Sequence, residues 1–344
     1  MSGTREPQGW GVWVHGTQPV AKLVELAVHA EKRGAVVLFI ADELVDRDIY
    51  VTLAAIAAAT DSIYLSPGIT QPYSRHPVAT AAALATLEEL APGRIVAGLG
   101  AGGSLVLGPL GLRPAKPFTA LAETADVVTR LLDGQTVTHR GVVTAISARL
   151  SFPARRLPLA VAGRGPRVER FAREQADWFL IGGKPIDQVA EAIALTRSSA
   201  RSVPGSPPAL VVWHPLIAFT PQGIAELRAA FGYMSLDIPA DWKDRFGVTP
   251  ELAEQLRAAL ANGGPEEAGK LVPDALLDGL AVVGSPGQIA DRLRGVVRAA
   301  SPEIVAFGLA AYTVEEVDTL AEIALLAGAA RVPAPRNSAA GGHL

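Results

Sequence analysis

The sequence predicts a (β/α)8 TIM barrel, and three observations carry it: apolar runs that recur at regular intervals, little polar alternation within them, and eight such runs in all. Through the first hundred residues a short apolar run, a polar turn and an amphipathic Ala/Leu-rich stretch repeat at intervals of roughly thirty residues, the pattern of βα units. The first four runs cover residues 10–14, 36–41, 63–70 and 94–101. Few polar residues interrupt them, as expected of parallel strands covered by helices on both faces. Pro19 and Pro77 stand at expected first helical positions, where a missing N–H costs nothing, and Gly34 ends the first helix.

Beyond residue 101 the unit lengthens. A helix is expected over 118–132 and a hairpin through Gly141 before the next run at 157–162, so an insertion follows the fourth strand. Runs at 178–181 and 209–219 resume the pattern. A second insertion, about 220–278, is mainly helical and is placed to act as a lid. Ser285-Pro286-Gly287-Gln288 reads as a capping box opening a helix over 288–299, and 303–309 with 314–327 complete the last unit. The expected organisation is one barrel domain over 1–332, insertions after strands 4 and 7, and a flexible C-terminal tail over 333–344. An open doubly wound sheet also alternates strands and helices, but it usually announces a phosphate loop after its first strand, and Val14-His15-Gly16-Thr17-Gln18 is not one.

Composition narrows the function. The 344 residues are 49% hydrophobic and 19% charged with a net charge of −3, which supplies a large core and no basic stripe for a nucleic-acid backbone. The N-terminus is polar and the apolar run 35–41 is too short to cross a membrane, so a cytoplasmic protein with no membrane partner is expected. There is no cysteine, and none of the six histidines forms an HExxH pair, so no metal site is expected.

In such barrels the chemistry sits where strands end and βα loops begin. Asp42 and Glu43 leave the second run; they either orient a ligand and move protons or merely cap a helix. Gly68-Ile69-Thr70-Gln71-Pro72-Tyr73-Ser74-Arg75-His76-Pro77 ends the third, with a glycine that permits close approach to a flat ligand; the alternative is a plain turn in which His76 caps a helix. Gly98-Leu99-Gly100-Ala101-Gly102-Gly103 matches a dinucleotide fingerprint by letter, but four runs precede it and no helix is expected promptly after it. Ala162-Gly163-Arg164-Gly165-Pro166-Arg167 opens a helix, whose free N–H groups with Arg164 or Arg167 suit a phosphate. Gly182 and Gly183 end the next run. His214, inside an apolar run, reads as a core histidine; His15, beyond the first strand, is better placed to donate a proton or is a simple loop residue.

Taken together, these segments resemble the luciferase-like oxidoreductase superfamily, and within it the coenzyme F420-dependent, methylenetetrahydromethanopterin reductase-like branch. The resemblance runs from about Trp10 to Ala327, and its most specific element is the segment from Gly68 to Pro77. It implies a deazaflavin in the barrel mouth, a non-prolyl cis peptide at Gly68–Ile69, a homodimer, and hydride transfer to or from a C=C or C=N bond of a small-molecule substrate. On the same basis Gly68, Ile69, Thr70, Tyr73, Gly100, Ala101 and Gly102 line the ring; Ala162, Gly163, Arg164, Gly165, Gly182 and Gly183 meet the phosphate end; and Asp42, Glu43 and His15 are the catalytic candidates.

The chain departs from its relatives where acidic residues are expected, carrying Trp13 and Gly103 instead, and Glu43 replaces the histidine of the sugar-phosphate dehydrogenase branch. Those changes point to a larger or more apolar substrate. Two alternatives stand beside the main reading: an FMN-dependent monooxygenase of the same superfamily, and a non-catalytic cofactor-binding homologue.

Overall fold

Eight runs of buried apolar residues pair edge to edge in the computed structural model, which describes residues 7–108, 110–310 and 312–330. The strands are β1 (Gly9–His15), β2 (Val37–Ala41), β3 (Tyr64–Pro67), β4 (Ala97–Gly100), β5 (Leu159–Ala162), β6 (Trp178–Gly182), β7 (Leu210–His214) and β8 (Ile304–Gly308). They form one parallel sheet in the order β3-β2-β1-β8-β7-β6-β5-β4. Bridges from Leu65 to Ile95 and from Thr70 to Leu99 join its two edges and close the barrel.

Each strand buries both faces, which explains the unbroken apolar runs. Along β2, Val37 and Phe39 point into a barrel interior shared with Leu180, Val212 and Ala306, while Leu38 and Ile40 pack outward beneath the helices. The outer ring is α1 (Val20–Lys32), α2 (Ile49–Ala59), α3 (Pro77–Leu90), α4 (Pro117–Leu132), α5 (Pro166–Gln175), α6 (Ile186–Ser198), α7 (Pro286–Ala300) and α8 (Val314–Ala327). The Ser285 capping box opens α7 as expected. Gly34, at φ +89°, follows the end of α1, a conformation that glycine adopts without steric cost. Pro77 is the first residue of α3, whereas Pro19 caps α1 from outside the helix.

Several expectations need correction. The runs at 63–70 and 94–101 are longer than β3 and β4: beyond the regular strands they meet through the isolated Leu65–Ile95 and Thr70–Leu99 bridges, with the cis peptide Gly68–Ile69 between the two. The run at 209–219 is two strands: Pro215 has no N–H for a ladder, so the chain leaves the barrel after His214. Its continuation, Leu216–Ala218, pairs in parallel with Ala281–Val283 in a separate small sheet. A single helical turn, Ser104–Leu107, does begin promptly after the glycine-rich stretch.

Both insertions lie where expected. After β4 the hairpin Val137–Arg140 with Thr144–Ala148 follows α4. Between β7 and β8 come the helices Pro221–Asp237, Ala240–Phe246, Pro250–Asn262, Gly264–Gly269 and Asp274–Leu280, packed around their own core of Phe231, Ile238, Trp242, Phe246, Leu256 and Leu276. The expected tail from Pro333 lies outside the described residues.

Closure at the seam leaves no room beside Gly98. A Cβ there would fall on the Pro67 carbonyl oxygen, with Ser66 Oγ 2.7 Å away, whereas a Cβ on Gly295 in the middle of α7 meets nothing within 4 Å. Gly98→Ala is therefore expected to cost about 3 kcal/mol in urea denaturation, as overpacking against backbone does. Gly295→Ala is expected to add about 0.5–1 kcal/mol by the difference in helix propensity.

Candidate active site at the barrel mouth

The carboxyl ends of β1 and β2 bring acids and a histidine together. Asp42 and Glu43 do not cap a helix: α2 is capped by Asp48, whose Oδ1 accepts from the Tyr50 and Val51 N–H groups at 2.9 and 3.1 Å. Asp42 instead accepts a hydrogen bond from Thr70 Oγ1 at 2.7 Å, tying the end of β2 to the seam. Burial raises the Asp42 pKa, and the Thr70 bond works against that rise. Glu43 Oε1 lies 3.7 Å from His15 Nδ1, and just beyond it Leu44 turns the chain at φ 62°. Burial, followed by the neighbouring charges of Asp46 and Asp42, pushes the Glu43 pKa up to about 7. Lost hydration lowers the His15 pKa, although 46% of its side chain still meets solvent. The His15 backbone N–H donates to Tyr312 Oη at 2.8 Å, anchoring the end of β1.

The seam forms the next wall. The Thr70 N–H donates to the Gly98 carbonyl at 3.1 Å, and the Gly100 N–H to the Thr70 carbonyl at 2.9 Å. Ile69 leans over Gly100 so closely that a Cβ on Gly100 would fall on Ile69 Cδ1. Gln71, buried and absent from the expected site, shapes the following loop: its Oε1 accepts from the Tyr73 and Ser74 N–H groups at 2.6 and 3.2 Å. Tyr73 Oη is buried without a partner among the described residues. Arg75 and His76 are structural. Arg75 lies over the Tyr50 ring at 4.5 Å and pairs with Asp48 at 2.9 Å, while His76 caps α3 and meets the Thr144 carbonyl at 2.8 Å. Gly102, at φ +74°, packs on Leu107 beyond Ala101.

Across the mouth, β5 leads through Gly163 and Arg164 into α5. No side chain caps α5, so its first N–H groups are available to an anion. Arg164 is enclosed beside Asp237 of the insertion and makes no hydrogen bond among the described residues; burial lowers its pKa and the Asp237 charge raises it. Arg167 turns away to stack on Phe118 at 4.4 Å. A Cβ on Gly183, at φ +58°, would stand 3.3 Å from both Arg164 Nη1 and Met234 Cε, so glycine there makes room for the guanidinium. Lys184 pairs with Glu169 at 2.9 Å and lies 5.2 Å from the Trp242 ring, engaging the insertion rather than the mouth.

An aromatic floor closes the site from below. Trp13 stacks with Phe39 at 4.9 Å and with His214 at 4.5 Å. His214 therefore belongs to the site that the sequence reading assigned to its neighbours. The signal was present in the glycines that end the adjoining strands, Gly182 and Gly308, which flank its ring. Among the described residues no cluster of three or more His, Asp and Glu could hold a metal ion, and no helix is long and apolar enough to cross a membrane.

Known proteins resemble this chain over most of its length. The family model described as luciferase-like monooxygenase matches residues 6–301. The 5,10-methylenetetrahydromethanopterin reductase of Methanolobus tindarius is 26% identical over 303 residues, covering 86% of this chain and 93% of that one. Among solved structures, the coenzyme F420-dependent tetrahydromethanopterin reductase of Methanopyrus kandleri superposes with a TM-score of 0.77 at 22% identity, over 93% of this chain and 99% of the other. An F420-dependent secondary alcohol dehydrogenase in complex with an F420-acetone adduct reaches 0.70 at 18% identity, over 93% and 99%. The fold also extends to an FMN-bound 3,6-diketocamphane monooxygenase component of Pseudomonas putida, with a TM-score of 0.63 at 15% identity over 95% and 100%.

The raised Glu43 pKa makes the fold pH-sensitive. Unfolded, the group titrates near 4.5; folded, near 7, so between these values the unfolded chain releases the proton first and stability falls as pH rises. Glu43→Gln removes that loss. Its advantage over the wild type in urea denaturation is expected to be absent at pH 4 and about 3 kcal/mol at pH 8, the linkage for such a shift.

Proposed function

The chain belongs to the luciferase-like monooxygenase family, and from that premise we propose that it is an F420-dependent oxidoreductase. In this reading it acts as a reductase, moving hydride between the deazaflavin and a C=C or C=N bond of a small molecule or biosynthetic intermediate. The carrying observation is the pairing of the close-packed seam at Gly68, Ile69 and Gly100 with a guanidinium, Arg164, that makes no hydrogen bond among the described residues and sits beside the uncapped α5. A flat ring with a phosphorylated tail matches both ends.

The residues present fit that group. Gly68, Ile69, Thr70, Tyr73, Gly100, Ala101 and Gly102 would line the ring, and the buried Tyr73 hydroxyl, without a partner among the described residues, offers it a polar contact. Ala162, Gly163, Arg164, Gly165, Gly182 and Gly183 would hold the phosphate end. Bound F420 supplies a carbon that accepts or releases hydride. The protein supplies the proton: a Glu43 carboxyl with a pKa near 7 is shared between its two forms at neutral pH, which suits a general acid or base. His15, 3.7 Å away, exchanges that proton with solvent. Asp42 positions Thr70 and so holds the ring wall. The same proposal takes residues 1–332 as one barrel domain and the active form as a homodimer.

Titration with F420 and separately with FMN, followed by cofactor fluorescence and thermal stability, tests the reading. Micromolar or tighter F420 binding without an FMN response is expected, with Arg164→Ala weakening F420 by about 10- to 100-fold through loss of a charge-assisted contact. Selective FMN binding overturns the proposal in favour of a monooxygenase. An F420 complex that has no turnover for Asp42→Asn to lose would mark a cofactor-binding homologue instead.

A further inference from the structure

His214 ends β7, and its ring is held from several sides. Its face stacks on Trp13 at 4.5 Å with 23° between the planes. Its Nδ1 lies 2.8 Å from the Ala306 carbonyl oxygen, which can only accept, so Nδ1 carries the proton. In the neutral ring the other nitrogen, Nε2, then presents a bare lone pair. The neutral form is the one favoured here, because burial and the nearby His15 push the His214 pKa down to about 4 against the raising effect of the carbonyl bond.

No described residue donates to Nε2. The two carbons flanking it face glycines on the neighbouring strands: a Cβ on Gly182 would stand 3.5 Å from Cδ2, and one on Gly308 3.8 Å from Cε1. Neither neighbouring position carries a side chain, so the fixed acceptor is flanked by glycine backbone. The adjoining floor, Trp13 on Phe39, is flat and apolar.

We propose that His214 is a specificity-determining residue whose Nε2 accepts a hydrogen bond from the substrate, and that the substrate class is a planar, conjugated molecule bearing an N–H or O–H on its edge. The inference rests on the barrel mouth being the active site, as argued above. A site built around such an acceptor discriminates against analogues that lack the donor, because the lone pair then loses water and gains no partner. His214 takes no part in proton transfer in this account; it reads the substrate.

A matched pair of probes tests it: 2-quinolone, whose lactam carries an edge N–H, and N-methyl-2-quinolone, which has none. Binding to the F420-mixed protein is measured by calorimetry, and the His214 ring nitrogens are followed by long-range proton–nitrogen spectra, assigned against His214→Gln. The wild type is expected to show Nδ1 protonated and Nε2 bare, to bind the N–H probe about tenfold more tightly, the scale of one buried hydrogen bond, and to shift the Nε2 resonance on binding. His214→Phe, which keeps a stacking ring but has no acceptor, is expected to bind the two probes equally. His214→Gln, which keeps an acceptor, is expected to restore part of the preference. A wild-type Nε2 that carries the proton, binding of neither probe, equal binding of both, or a preference that survives in His214→Phe overturns the proposal. Failure of F420 to bind, with the donor preference and its loss intact, would sink the cofactor reading and leave this one standing.

Discussion

Barrel closure and the shape of the ligand slot depend on one constraint, the β3–β4 seam. Regular pairing between these strands is reduced to two bridges, on either side of the Gly68–Ile69 peptide. Gly98 has no space for a side chain because the Pro67 carbonyl lies against it, and Gly100 has none because the Ile69 side chain covers it. Asp42 reaches this seam through Thr70, so the acid on β2 and the slot on β3 are parts of one hydrogen-bonded unit.

Electrostatics divides the mouth into two halves. On the β1–β2 side, burial pushes carboxyl groups towards the neutral form, and Glu43 titrates where solvent protons are scarce. On the β5–β6 side, a buried guanidinium sits beside a helix N-terminus, so positive potential gathers there. A ligand with an anionic end has one orientation that suits both halves. The aromatic floor between them contributes little charge, since burial leaves His214 neutral against the raising effect of the Ala306 carbonyl bond, which decides its tautomer. The insertion meets the positive half through Asp237 and Met234, which places a carboxylate and a thioether next to Arg164.

Much of this was legible in the sequence, for definite reasons. Strands buried on both faces leave unbroken apolar runs, and prolines and glycines mark the helix ends, so all eight units could be counted. The break at Pro215 was less visible: hydrophobicity continues through it, and only the lost N–H distinguishes a barrel strand from a strand in another sheet. The choice between Arg164 and Arg167 was undecidable locally, because Phe118, far away in the chain, captures Arg167. The sequence left His76 open between a ligand contact and a helix cap, and it is a cap, while Gln71, unremarked among its neighbours, organises the loop they share. His214 was read from the apolarity around it; what sets its surroundings is the pair of glycines on adjacent strands, which pattern along one strand does not reveal.

The helical insertion between β7 and β8 buries its own set of residues, and none of them belongs to either cluster of the barrel. Energetically that is a partition. Substitutions in Phe231, Trp242 or Leu256 act on a different set of contacts from those that hold the strands together, and effects at sites without shared partners add nearly independently. A lineage can therefore remodel the roof over the mouth while the barrel beneath keeps its geometry. The architecture separates the inheritance of a reaction from the invention of a substrate.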